Sequence, residues 1–357
     1  MKIHNYSAGP CILPQEVFEK SAQAVLNYNN TGLSLLEMSH RSKEFVAIMD
    51  EVRALSLDLL GLTGKGYQAL FLQGGASLEF LMVPFNVMKE NGKAAYLDTG
   101  VWASGAIKEA KLFGETVVVA SSKEENYSHI PKNYTVPSDA DYFHTTSNNT
   151  IYGTQIKSFP ETKVPMVCDM SSDIFSRVLD FSKFDLIYAG AQKNMGAAGT
   201  TLVVVKESIL GQSGRTIPSM LDYEKHIKAE SMYNTPSVFA VYTCLLTLQW
   251  LKNLGGIPAI EKINNAKAAL LYNEIDRNPY FKGTAAKEDR SNMNATFLLE
   301  NPEHQETFDT MWKTAGISGI TGHRSVGGYR ASMYNALPLE SVQVLVDVMK
   351  DFESKQK

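Results

Sequence analysis

Apolar positions along this chain follow two alternating rhythms. Over 42–60, Phe45, Ile48, Met49, Val52, Leu55 and Leu59 recur every three or four residues, which places them on one face of a helix that Gly61 stops. The rhythm then shortens. Runs at 69–72, 94–97, 116–120, 164–168, 186–189 and 201–205 are apolar throughout, several are rich in β-branched residues, and they predict strands. Helical patterns over 75–88 and 102–113 fall between the first of them. Strands without a polar face, separated by helices, predict an α/β fold with a mostly parallel sheet covered on both sides. The stretch 238–251 is apolar but broken by Tyr242, Thr243, Thr247 and Gln249, and it is shorter than the ~20 residues a bilayer requires, so it predicts a buried helix. Residues 15–256 therefore read as one large α/β domain. From 257 onward come a helix over 260–275, a strand at 295–299, a Gly-rich stretch over 316–328 and a closing helix from about Leu339. This part, together with residues 1–14, reads as a smaller α+β domain.

Composition narrows the partners. The 357 residues carry 34 Lys+Arg against 38 Asp+Glu, a net charge of −4, which excludes a generally basic nucleic-acid coat. With 44% hydrophobic residues the chain is long enough to bury a large core without staples. Cys11, Cys168 and Cys244 form no CxxC pair and suit a reducing compartment. The opening residues lack the apolar run of a signal peptide. A cytoplasmic protein with no membrane contact is expected. Seven His without an HExxH or a Cys/His cluster predict no metal site.

Ligands of such sheets bind beyond the carboxyl ends of the strands, so polar residues there are the candidates. Gly74-Gly75-Ala76-Ser77 follows a strand and opens a helix, where free N–H groups and the helix dipole favour an anion; the same glycines also suit a plain turn. Asp169 ends the 164–168 run, and alone it reads as well as a turn cap. Lys193 follows it by 24 positions, just past the 186–189 run. Among apolar strands and small residues its amine loses solvent, and a lowered pKa makes it a usable nucleophile. Together the two match a pyridoxal phosphate site, which needs an amine for the cofactor carbonyl and a carboxylate for the pyridine nitrogen. Trp102, after Asp98-Thr99-Gly100, is placed to stack on a ring or to sit in the core; Thr150 is a partner for a ring hydroxyl or a turn-former. His40-Arg41, His323-Arg324 and Arg330 suit a substrate bearing both carboxylate and phosphate, or are scattered surface charges.

Six segments in order carry a resemblance. They are Tyr6-Ser7-Ala8-Gly9-Pro10, Glu37-Met38-Ser39-His40-Arg41-Ser42-Lys43-Glu44-Phe45, Gln73-Gly74-Gly75-Ala76-Ser77, Tyr188-Ala189-Gly190-Ala191-Gln192-Lys193-Asn194, Met232-Tyr233-Asn234-Thr235-Pro236, and the run 322–332 around His323, Arg324 and Arg330. With them the chain resembles the phosphoserine aminotransferases, class-V pyridoxal-phosphate enzymes of fold type I, nearly end to end. The resemblance implies the fold-type-I architecture, a large domain with a mostly parallel sheet and a small C-terminal α+β domain. It makes Lys193 the Schiff-base lysine, Asp169 the partner of the pyridine nitrogen, Trp102 the stacking aromatic and Thr150 the residue at the ring hydroxyl. Ala76, Ser77 and Gln192 match the cofactor-phosphate cup, completed by the equivalents of Asn234 and Thr235 from a second subunit, which implies a homodimer with shared sites. Arg330 matches the clamp on the substrate α-carboxylate; His40, Arg41, His323 and Arg324 match the group around the substrate phosphate. Some members of the family carry Arg where this chain has Ser77, which removes one cation.

The implied reaction is reversible amino transfer between L-glutamate and 3-phosphohydroxypyruvate, giving O-phospho-L-serine and 2-oxoglutarate. A phosphorylated hydroxythreonine of pyridoxine synthesis is the expected second substrate. The competing enzyme is another aminotransferase of this fold or a cysteine desulfurase, which would need a mobile catalytic cysteine that Cys11, Cys168 and Cys244 are poorly placed to supply.

Overall fold

The computed structural model describes residues 2–356. The 42–60 pattern becomes the helix Lys43–Leu59, with the Ser42 hydroxyl accepting from the Phe45 N–H at its start. Its face of Phe45, Ile48, Met49, Val52 and Leu55 is buried, each side chain stabilising the fold by about 2 kcal/mol in removed apolar area.

Seven strands form the main sheet. In spatial order they are Tyr67–Leu72, Thr201–Lys206, Leu186–Gly190, Met166–Asp169, Tyr142–Thr146, Lys93–Asp98 and Glu115–Ser121. Side chains alternate across it: Met166, Cys168, Ile187 and Ala189 enter one core, while Val167, Leu186 and Tyr188 enter the other. The helix Val238–Asn253 packs in the first core through Val241, Cys244 and Leu248, the buried helix that its largely apolar stretch predicts. Helices Gly75–Val87 and Val101–Ala110 cover the opposite face.

Two features depart from the sequence reading. Tyr142–Thr146, a strand in the middle of the sheet, was not predicted, because His144, Thr145 and Thr146 break the apolar pattern. All three are buried, with His144 Nε2 meeting the Tyr188 hydroxyl at 2.8 Å and the Thr145 hydroxyl donating to Cys168 Sγ at 3.3 Å. Thr201–Lys206 runs antiparallel to both neighbours, pairing Thr201 with Gly190 on one side and with Leu72 on the other. The other adjacent pairs are parallel, so the sheet is mostly parallel. The carboxyl ends of those strands, and of Tyr67–Leu72, share one edge.

A third core gathers Leu271 and Ile275 of the helix Gly256–Arg277, Leu345, Met349 and Phe352 of the helix Leu339–Gln356, and Phe281, Phe297 and Phe308. A three-stranded antiparallel sheet, Phe281–Gly283, Asn294–Leu299 and Tyr329–Ser332, lies against them. Tyr6 enters this core from the other end of the chain, and the strand His4–Asn5 pairs with Ile317–Ser318. The Gly256–Arg277 helix joins both regions: Ile257 and Ile260 belong to the first core, Ala268 and Leu271 to the third. Among the described residues no helix is long and apolar enough to cross a membrane.

Candidate active site

At the carboxyl edge of the sheet lies a cavity of about 340 Å³, facing the small sheet and the N-terminal segment. Its wall includes Ala76, Ser77, Trp102, Thr150, Asp169, Gln192, Lys193, His323 and Arg330, nine of the residues singled out in the sequence.

Lys193 sits in the turn after the strand Leu186–Gly190. Its Nζ donates to the Thr150 hydroxyl at 3.1 Å. Lys193 is half-buried on the cavity wall, and desolvation there lowers its pKa; Asp169 opposes the shift and Arg330 adds to it. The residues 8–11 strap over this turn. Cys11 N–H donates to the Gln192 carbonyl at 3.2 Å, and Cys11 Sγ donates to the Lys193 carbonyl at 2.7 Å. Gly9 has a positive φ of 135°, and a Cβ there would touch the Lys193 stem at 3.4 Å.

Asp169 ends the strand Met166–Asp169, buried, with Oδ1 accepting from the Ser171 N–H at 2.9 Å. Burial pushes its carboxyl above the ordinary value, against the pull of the Ser171 bonds and of Lys193. A buried carboxylate of this kind gains most from a cationic N–H partner in the cavity. Trp102 is no core residue: it stands in the first turn of Val101–Ala110, 39% exposed, on the cavity wall.

The helix Gly75–Val87 opens beneath Ala76 and Ser77 with no side-chain cap, so its first N–H groups are left for an anion. Gly74 turns the chain into it at φ 105°, where a Cβ would lie 2.4 Å from Leu78. Arg330, on the strand Tyr329–Ser332, reaches the Thr150 carbonyl at 3.5 Å through Nη1, and its buried Nε has no partner among the described residues. That donor suits a carboxylate. His323 meets the Ser325 hydroxyl at 2.7 Å, and burial together with Arg330 and Arg324 lowers its pKa.

His40, Arg41, Arg324, Asn234 and Thr235 do not line this cavity. His40 is buried beside an exposed Arg41 at the foot of the Lys43–Leu59 helix. Asn234 Nδ2 donates to Gln73 Oε1 at 3.1 Å, and Gln73 Nε2 donates to the Thr235 carbonyl at 2.7 Å, which puts both residues at the surface next to the Gly74-Gly75 turn. The sequence reading missed Ala8, Gly9, Thr146, Asn148, Ile151, Ser171 and Ser172, which also line the cavity. Ser171-Ser172 stood beside Asp169 as a visible signal; Asn148 reaches the wall only through the unpredicted central strand.

The cysteines offer no nucleophile. Cys168 and Cys244 are buried with thiol pKa values pushed up, and burial raises Cys11 to about 12.

The arrangement fits pyridoxal phosphate: an amine, a buried carboxylate, an aromatic face and an uncapped helix start converge on one cavity. Comparison with known proteins agrees. The class-V aminotransferase family model matches residues 3–345. Phosphoserine aminotransferase of Flavobacterium psychrophilum is 82% identical over 355 residues, covering 99% of this chain and 100% of that one. Among solved structures, phosphoserine aminotransferase from Bacillus circulans subsp. alkalophilus superposes with a TM-score of 0.96 at 44% identity, covering 100% of this chain and 99% of the other. The pyridoxal-phosphate-bound enzyme from Trichomonas vaginalis does so with a TM-score of 0.93 at 34% identity, covering 98% and 100%.

Proposed function

The chain belongs to the class-V aminotransferase family, and on that footing we propose that the cavity carries out phosphoserine amino transfer with the residues named above. The reaction is the reversible transfer of an amino group between L-glutamate and 3-phosphohydroxypyruvate, a step of serine biosynthesis. The observation that carries this reading is the convergence of the desolvated Lys193 amine and the buried Asp169 carboxylate on one cavity wall.

Pyridoxal phosphate supplies, when bound, a carbonyl carbon that takes and gives the amino group and a ring that accepts the electron pair of the substrate Cα–H bond. Lys193 holds the cofactor between turnovers. Its Nζ, reaching the cavity, would serve as the base that takes the proton from the substrate α-carbon and as the acid that gives it back. Desolvation lowers the pKa of this amine, which favours its neutral, proton-accepting form. The Asp169 carboxylate would hold a proton on the ring nitrogen, Trp102 would cover a ring face, and the Thr150 hydroxyl would bond the ring oxygen. N–H groups of Gly75, Ala76 and Ser77 hold the cofactor phosphate with Gln192. Arg330 takes the substrate α-carboxylate. His323 and Arg324, with His40 and Arg41, hold the substrate phosphate.

Asn234 and Thr235 lie at the surface and do not line the cavity of their own chain, which supports a second subunit's cup as their place of action. We propose a cytoplasmic homodimer with two shared sites. Residues 15–256 form the cofactor-carrying domain, and 257–357 with 1–14 form the smaller one. A phosphorylated hydroxythreonine has the same α-amino acid and phosphate ends and is the second substrate.

The test is the visible spectrum of the purified protein loaded with pyridoxal phosphate. O-phosphoserine should bleach the bound-cofactor band, and unphosphorylated serine should do so poorly. A band indifferent to phosphoserine refutes the substrate; no band after loading refutes the cofactor site.

A further inference from the structure

A hydrogen-bonded group beside Lys193 has no part in these roles. Tyr334 is buried, two residues past the strand that carries Arg330. Its hydroxyl donates to the Ala8 carbonyl at 2.8 Å and accepts from Asn294 Nδ2 at 3.3 Å. Tyr334 thus gives its one proton to the 8–11 strap, and the strap in turn bonds the Lys193 turn through Cys11, whose N–H donates to the Gln192 carbonyl and whose Sγ donates to the Lys193 carbonyl.

Tyr334 is itself anchored from behind. Lys267, on the helix Gly256–Arg277, is fully buried and donates through Nζ to the carbonyls of Met333 at 3.0 Å, Tyr334 at 2.7 Å and Leu337 at 3.1 Å. Three donors meet three carbonyls, which fills the ammonium's capacity and ties the turn after the Arg330 strand to the helix. Burial lowers this lysine to about 7, so an unbonded ammonium would not persist there.

We infer that Tyr334 is a positioning residue for amino transfer: its hydroxyl fixes the 8–11 strap that bonds the Lys193 turn, and the Lys267 clamp fixes Tyr334. The inference rests on Lys193 being the reacting amine. Asp169, Arg330, Cys11 and Asp173 also act on the Lys193 charge, and the substitution below leaves all four in place.

Y334F keeps the ring and removes only the hydroxyl, so it is the test, with K267M beside it. Both full-length proteins are loaded with pyridoxal phosphate and assayed with phosphoserine and 2-oxoglutarate. In cofactor-stripped protein, the rate of Lys193 acylation is followed against pH by peptide mass spectrometry. In Y334F, kcat falls about tenfold with KM within about twofold, as expected when a reacting group is misaligned rather than substrate binding lost. With the 8–11 strap loosened, water reaches the amine and the Lys193 titration moves up by about one pH unit. K267M reproduces the loss of kcat. A Y334F protein with unchanged kcat and an unmoved Lys193 titration overturns the inference, as does a loss carried by KM alone. K267M turnover equal to the parent's overturns the anchor. An inactive parent protein would instead sink the functional reading itself.

Discussion

Glu79 gives a sharp test of the electrostatics beneath the cofactor site. It lies one turn into the helix Gly75–Val87, fully buried; Oε2 accepts from the Tyr223 hydroxyl at 2.5 Å, and Oε1 has no partner among the described residues. Burial raises its pKa from 4.5 to about 8, with the Tyr223 bond opposing. At neutral pH the folded protein therefore keeps a proton there that the unfolded chain has released. Because the folded pKa is the higher one, this group's stability contribution is full below 4.5, falls as pH rises towards 8, and levels off beyond it. At about 1.4 kcal/mol per unit, the fall reaches about 5 kcal/mol over the whole window and about 3 kcal/mol by pH 7. E79Q removes the titration while keeping an oxygen for Tyr223. Its amide N–H₂ takes the place of the unpartnered Oε1, at a cost of about 1–3 kcal/mol. The variant is therefore expected to be less stable than its parent at pH 5 and more stable at pH 8, with a crossing between. Denaturant midpoints at pH 5, 6, 7 and 8 read the difference, and a protonated-carboxyl infrared band at pH 7 that E79Q lacks reports the proton directly. A stability difference that stays flat from pH 5 to 8 refutes the reasoning. The neutral form also matters for function, since a negative charge here would sit behind the N–H groups meant for a phosphate.

The other expectations concern the reacting groups. K193A should fold normally and lose about 10²–10⁴-fold in turnover through proton transfer alone, and near-normal kcat would remove Lys193 from the mechanism. D169N keeps the shape but not the charge; kcat should fall about a hundredfold or more while the protein still takes up the cofactor, which absorbance after gel filtration checks. R330Q should raise KM about 10–100-fold for both glutamate and phosphoserine, since both present the same α-carboxylate, and a rise for phosphoserine alone would assign Arg330 to the phosphate.

How much of this was legible in the chain depends on how burial is written. The 42–60 helix and the apolar strands were readable because periodicity records burial through hydrophobic side chains. Lys193 and Asp169 were readable because each directly follows such a strand. Tyr142–Thr146 was not, since its last three residues are polar yet buried, His144 and Thr145 by bonding to Tyr188 and Cys168 of other strands rather than by being apolar. The reversed direction of Thr201–Lys206 did leave a trace: only ten residues separate it from Gly190, too few for the crossover helix that a parallel pair needs. The pairing of His4 with Ile317 left none, being a contact between chain ends that no local pattern encodes.

Lys267 shows the same limit at the active site. On the helix Gly256–Arg277 a lysine reads as a solvated charge, and only the return of Met333, Tyr334 and Leu337 over it, 66 to 70 residues later, turns it into a buried clamp. Groups that touch ligands sit at strand ends and can be found by position. The polar residues that hold those groups in place satisfy one another across the fold, so their function is set by partners distant in sequence. Asn148, Asn294 and Tyr334 are all of this second kind: Asn148 donates to Asn294, Asn294 to Tyr334 and Tyr334 to Ala8. In this protein the proposed reacting residues are therefore readable as a pair at two strand ends, whereas the residues that align them acquire meaning only across the whole fold.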